Sequence, residues 1–248
     1  MSVFFHQYFD LNIIGDNFTF VLKGFGQTLE LSIVSGILAL FWGLILSLMR
    51  QTPGRAAAPL RFVSIAYIDI FRGVPLLLTI LLISGSLPFV FTGSLGFIGI
   101  PRWFGKSDPF WYGVIAITLT YGAYMAEVYR AGIEAVPHGQ MEAARSLGMN
   151  HGQAMRHVIV PQAVRKVIPP LLNDFIALMK DTSLVGVIGM IEVVEAGRTV
   201  QGETFNSSAL TLGAILFVLV TIPLARVVDR LIAGQQEKYQ RGGLVGAA

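Results

Sequence analysis

The stretch from Arg130 to Lys166, RAGIEAVPHGQMEAARSLGMNHGQAMRHVIVPQAVRK, is a polar island set between apolar runs. Just before it, Pro109 to Ala126 gives 18 residues without a charged side chain. Further out, Leu31 to Met49 gives 19, Gly73 to Pro101 gives 29 and Thr204 to Ala225 gives 22. About 20 residues cross the hydrocarbon of a bilayer as a helix, so these four runs are membrane spans. Composition agrees: with 54% hydrophobic and 13% charged residues and a mean hydropathy of +0.65, the 248 residues carry too few charges to clothe a soluble domain.

A fifth span, about 167–190, is expected although it holds Asn173, Asp174, Lys180, Asp181, Thr182 and Ser183, which are costly on a lipid face. Loop charge requires it. With five spans, twelve of the 18 basic residues fall on one side: Arg50, Arg55, Arg61, Arg130, Arg145, Arg156, Arg165, Lys166, Arg226, Arg230, Lys238 and Arg241. Lys23, Arg102, Lys106 and Arg198 fall on the other. The basic side is cytoplasmic. The expected fold is therefore all-α and polytopic, a single domain without internal repeat. Its spans are at about 27–49, 68–91, 109–129, 167–190 and 205–226, with a cytoplasmic loop over 131–166, an external N-terminus and a cytoplasmic C-terminus. The first 25 residues lack a basic start and a cleavage site, so they do not read as a removable signal. Their Phe4, Phe5, Tyr8, Phe9, Phe18 and Phe20 suit the headgroup boundary, which places the segment along the outer surface.

Within the island, helix-forming residues from Gly139 to Leu147 precede Gly148, where a left-handed residue ends a helix without steric cost. Asn150 then caps a second helix, with Gln153 in capping-box position, before Val158, Ile159, Val160 and Pro161. Glu142 is expected near the first turn of the first helix, where the helix dipole favours a carboxylate. Ala143 and Ala144 permit close approach of a facing surface, and Leu147 offers an apolar knob. The island is thus a stiff projection for a partner to grip.

Glu142-Ala143-Ala144, three residues, Gly148 and then Pro161 resemble the cytoplasmic loop of ABC-importer permeases. Gln27-Thr28-Leu29, Phe71-Arg72-Gly73-Val74-Pro75-Leu76-Leu77, Tyr124-Met125-Ala126-Glu127-Val128-Tyr129-Arg130 and Lys180-Asp181-Thr182-Ser183-Leu184 are similar to motifs of the polar amino-acid uptake branch, the histidine, glutamine and arginine type. The resemblance runs from Gly26 to about Lys238. It implies a type I ABC importer fold in a bacterial cytoplasmic (inner) membrane. It also implies two ABC ATPase subunits that carry ATP and Mg, a second permease subunit, identical or homologous, and an extracellular or periplasmic amino-acid-binding protein. On the same resemblance, Gln140, Glu142, Ala143, Ala144, Leu147, Gly148 and Pro161 couple to the ATPases. Thr79 stands where many relatives carry Gln, so the substrate does not follow from the motif.

In the fourth span, Asp174 and Asp181 are seven apart and share a face, with Asn173 and Lys180 on the neighbouring one. The stripe admits two roles: receiving the ammonium and carboxylate of a zwitterionic amino acid, or satisfying itself across a subunit interface. Thr79, Asn173, Asp174, Lys180, Asp181, Thr182 and Ser183 are the candidate pathway residues. Asp69 with Arg72, and Glu127 with Arg130, have the spacing of helical ion pairs and read as structural anchors. Pro75 removes a backbone donor, and a kink there frees carbonyls.

No catalytic set is visible, and no cofactor is expected on this chain. Gly105-Lys106-Ser107 lacks the earlier glycine of a phosphate loop, because position 100 is Ile. There is no cysteine, and His138, His151 and His157 do not have the spacing of a metal site. The basic balance reflects topology and anionic lipid, not nucleic acid. Two other functions remain open from sequence: an ion-coupled secondary transporter using Asp174, Lys180 and Asp181 as a relay, and a non-transporting scaffold for an ATPase.

Overall fold

The computed structural model describes residues 2–92 and 108–245, and side chains over 3–87 and 109–234. Gly105-Lys106-Ser107 and the side chains of Arg102, Lys106, Lys238 and Arg241 lie outside the described residues. Every element among the described residues is helical: α1 (Ser2–Phe9), α2 (Leu11–Gln51), α3 (Ala58–Gly73), α4 (Leu76–Thr92), α5 (Asp108–Glu134), α6 (His138–Ser146), α7 (His151–Ala154), α8 (Val160–Asp181), α9 (Val193–Thr204) and α10 (Ser208–Val245). A π-helical turn, Met155–Ile159, leads into α8, and a 3-10 segment, Thr182–Ile188, follows it.

The pillar is α2. Asp10 caps it, its carboxylate accepting from the backbone N–H of Asn12 and Ile13, and its 41 residues rise about 60 Å. The helix is apolar nearly all round, so side-chain size decides which face is buried. Gly24, Thr28, Ser32, Gly36, Ala39, Gly43 and Ser47 are buried, while Ile33, Ile37, Phe41, Leu44 and Leu48 are exposed on the opposite face. Lipid is as apolar as leucine, and helices in it associate by close packing between small residues. A Cβ at Gly43 would lie 2.8 Å from the Gly122 carbonyl of α5, one at Gly36 would lie 2.9 Å from the Phe175 ring of α8, and one at Gly24 would lie 2.9 Å from Ala196 of α9. Thr28, Ser32 and Ser35 donate their hydroxyls to the carbonyls of Gly24, Thr28 and Leu31, which satisfies them inside the bundle.

Three differences from the sequence expectation concern the spans. The long helix that carries the first expected span begins at Leu11, so Phe18 and Phe20 belong to the pillar, and only α1 is separate. Hydrogen bonds from Ser207 N–H to Gln7 O, from the Asn206 amide to His6 O and from Asp10 N–H to the Ser208 hydroxyl tie that short helix to the α9–α10 turn. The second expected span is broken: α3 and α4 meet at 107° across Gly73, Val74 and Pro75. Pro75 has no N–H to continue the helix, and Thr79 N–H restarts the ladder on Pro75 O. The loop expected outside, before the last span, folds into a helix of its own, α9. By length and apolarity, Val3–Gln51 and Ser208–Gly234 qualify as spans alone and the bent α3–α4 pair as a third. Among the described residues α5 and α8, where the third and fourth spans are expected, fall short of that apolarity.

The core lies between α2, α4, α5 and α8, where Leu31, Ile80, Ile117, Met125, Leu178 and Val185 are buried together. A second cluster of Val21, Phe25, Val193, Val200 and Leu212 joins α2 to α9 and α10.

Candidate functional site

The polar island folds as a compact projection. Met141, Met155 and Val158 pack on a small core of Val136, Ile159 and Ala163. The helix α6 starts at His138, so Glu142 lies in its second turn rather than near the first, and it is exposed. Gly148, at φ +84°, closes α6. Its N–H donates to Arg145 O at 3.0 Å, and Met149 N–H donates to Ala144 O at 3.2 Å, the two bonds of a Schellman motif. Asn150 caps α7 in a reciprocal capping box with Gln153. Ala143 is exposed beside Glu142, whereas Ala144 is buried against the chain itself and offers no surface to a partner. Leu147 is 81% exposed, an apolar knob without cover among the described residues. Gln162 donates to Gln140 at 3.3 Å, and Pro161 sits in the first turn of α8, directly after the π-helical turn. His138, His151 and His157 are all exposed.

At the island end of the bundle, Glu127 of α5 is a hub. Arg130 donates Nε and Nη2 to its Oε2 at 2.9 and 2.7 Å, Arg50 of α2 donates to Oε1, and Arg72 Nη1 lies 3.9 Å from Oε1. Arg130 also reaches Glu134 at 2.5 Å. The expected pair of Glu127 and Arg130 is present. That of Asp69 and Arg72 is not: Asp69 is exposed, and Arg72 turns to Glu127 of α5 instead. Helix spacing permits an i,i+3 pair but cannot see a third helix.

At the α3–α4 break there is a cavity of about 280 Å³ lined by Arg72, Gly73, Val74, Pro75, Leu76, Thr120, Tyr121, Tyr124 and Asp181. Tyr121 donates its hydroxyl to Asp181 Oδ2 at 2.8 Å. The Thr120 hydroxyl and Asp174 Oδ2 are buried without a hydrogen-bond partner among the described residues. The stripe of the fourth span splits: Asp174 and Asp181 turn toward the bundle, partly buried, while Asn173 and Lys180 are exposed on the outside. The Thr182 and Ser183 hydroxyls donate to Met179 O and Lys180 O, closing the last turn of α8. Thr79 is buried and is not among the residues lining the cavity. Sequence reasoning missed Arg50, Tyr121 and Thr120. Arg50 entered the sequence reading as one of the twelve basic residues of one side, and the hydroxyls of the third span carried no periodic signal.

Residues 39–238 match the family described as "Binding-protein-dependent transport system inner membrane component". The chain belongs to this family. It is 36% identical over 231 residues to the probable glutamine ABC transporter permease protein GlnM of Bacillus subtilis (strain 168), covering 93% of this chain and 100% of that protein. It is 35% identical over 205 residues to the arginine transport system permease protein ArtQ of the same organism, covering 82% and 87%. A solved structure of an amino acid ABC transporter with histidines superposes with a TM-score of 0.76 at 32% identity, covering 87% of this chain and 94% of that one. An inward-facing structure of the MetNI methionine ABC transporter, at TM-score 0.67 and 20% identity over 88% and 96% of the two chains, shares the fold. The chain is thus a membrane permease with the type I ABC-importer fold. The ion-coupled carrier and the scaffold considered from sequence give way to this membership.

Proposed function

We propose that the chain forms, with a second permease subunit, the pathway of an ATP-driven importer for polar amino acids, and that the amino acid passes through the cavity at the α3–α4 break. The observation that carries this is the cavity itself. It combines an interrupted helix, whose freed backbone groups must face protein or water at membrane depth, with the Asp181 carboxylate fixed by Tyr121. An ammonium fits against Asp181, and the Thr120 hydroxyl supplies a free polar contact beside it. The amino-acid transporters among the relatives support the substrate class.

The chain supplies positioning and movement, and catalysis belongs to two partner ATPases that bind ATP and Mg. Glu142, Ala143 and Leu147 form the exposed face that these subunits grip, stiffened by Gly148 and the capping box. An external binding protein delivers the amino acid. In this reading five spans put the island in the cytosol and the N-terminus outside, because that arrangement gives the cytoplasmic side twelve of the 18 basic residues. Asn173 and Lys180, exposed on α8, face the second subunit. The test is uptake into proteoliposomes holding the complete complex. Transport that requires ATP on the island side and survives a collapsed ion gradient is expected. Uptake that persists without ATP, or a Glu142 position labelled only from outside, refutes the assignment.

A further inference from the structure

Arg72 sits in the last turn of α3, immediately before the 107° break. It faces two environments. Toward α5 it is the third guanidinium on one carboxylate, and the least tightly held: Arg50 and Arg130 hydrogen-bond Glu127 directly, whereas Arg72 stands off at 3.9 Å, beyond hydrogen-bond range. Toward the membrane interior it lines the cavity that also contains Asp181. Its guanidinium carbon is 5.9 Å from the centre of the Tyr124 ring, a cation–π contact that leaves the N–H fork free to turn. Glu127 has one negative charge to share among three cations, and among the described residues Arg130 alone of the three has a second acid, in Glu134. Arg72 is therefore the surplus cation of the hub, and its side chain is still 43% exposed.

We infer that Arg72 binds the α-carboxylate of the transported amino acid and, in doing so, leaves Glu127, so that occupancy of the cavity is felt at the inner ends of α2, α3 and α5. This deepens the assignment of the cavity to amino acids and rests on it. A guanidinium pairs with a carboxylate bidentately, and Arg72 lines the same cavity as Asp181, so a zwitterion with its ammonium on Asp181 has its carboxylate left for Arg72. Glu127 and the substrate compete for one fork. Losing Glu127 and losing Arg72 must then act in opposite directions on carboxylate binding, which a purely structural ion pair would not do.

The experiment measures equilibrium binding to the whole transporter in lipid nanodiscs, using L-glutamine, L-arginine and L-histidine, each beside its α-carboxamide. The wild type is expected to prefer an acid over its amide by tenfold or more, the range of a charge-assisted hydrogen bond. Arg72→Gln is expected to abolish that preference by weakening the acid alone, and Arg72→Lys to retain part of it. Glu127→Gln, which releases Arg72, is expected to strengthen the acid and leave the amide unchanged. If Arg72→Gln does not assemble, the Arg72→Lys and Glu127→Gln results decide alone. Binding of the acids with the same preference in wild type and Arg72 variants overturns this inference while leaving the cavity intact. Glu127→Gln weakening acid and amide equally also overturns it. Failure of the wild type to bind any of the three overturns the cavity assignment as well.

Discussion

Replacing Gly148 tests whether stiffness of the projection transmits force. Its φ of +84° is in the left-handed region, and a Cβ built there meets nothing within 4 Å. A side chain at this position therefore has no clash with its surroundings, and the whole penalty is backbone strain, about 1–2 kcal/mol for an ordinary L residue. The penalty falls on the two bonds that close α6, from Gly148 N–H to Arg145 O and from Met149 N–H to Ala144 O. It corresponds to a roughly 5- to 30-fold greater population of the frayed helix end. Asn tolerates the left-handed region and should cost less; Val, β-branched, should cost most. The expected order of damage is Asn, then Ala, then Val. Two measurements on the assembled transporter report it: hydrogen exchange of the amides at 147–149, and the number of ATP molecules hydrolysed per amino acid imported. Exchange and waste of ATP should rise together in that order, with the complex still assembled. Gly148→Val showing wild-type exchange and wild-type stoichiometry, or Gly148→Asn proving as harmful as Gly148→Val, refutes the argument.

Other outcomes follow from the same geometry. Asp181→Asn should lower uptake at least tenfold with unchanged assembly, and Tyr121→Phe, which leaves Asp181 without the 2.8 Å hydrogen bond that fixes it, should weaken substrate binding by less than Asp181→Asn does, both read from concentration-dependent uptake. Gly43→Val drives a side chain into the Gly122 carbonyl at 2.8 Å and should lower stability by about 1–3 kcal/mol, measured as a lower thermal midpoint in detergent, whereas Gly26→Val, with open space around it, should change it little. Glu192 lies past the fourth span, fully buried, and caps α9 by accepting from the N–H of Val194 and Glu195. Burial pushes its carboxyl from 4.5 to about 7, although those two hydrogen bonds pull it down. The folded protein therefore holds this proton more tightly than the unfolded chain. The stability it contributes is full below the unfolded value of 4.5 and is lost as pH rises through about 7. The difference in thermal midpoint between wild type and Glu192→Gln should shift against the wild type across that window, and a shift in its favour would refute the assignment.

Much of the molecule was legible in its residue order. Charge-free runs set by the bilayer thickness gave the long helices, because 20 apolar residues have no other way to satisfy their backbone in lipid. The island gave its two helices and their ends, because Gly148, Asn150 and Gln153 act on neighbours three to five residues away. Local rules suffice for local structure. They failed for Asp69, whose i,i+3 partner Arg72 was drawn off by a carboxylate 55 positions further along. They also failed for the break at Gly73–Pro75, where the presence of a kink could be read but its 107° size could not.

Local order also could not divide the fourth-span stripe. Asp174 and Asp181 share one helical face with Asn173 and Lys180 beside it, and only the packing of α8 against α5 turned the two acids inward and left the other two exposed. The cavity needed three separate segments, around 72–76, 120–124 and 181, to meet. Sequence alone determined that this chain crosses a membrane and holds a rigid projection on its basic side, since solvent and short-range hydrogen bonds dictate both. Tertiary packing alone decided which charges meet, because a carboxylate in a low-dielectric bundle takes whichever cations the neighbouring helices bring within a few ångströms, whatever their distance along the chain.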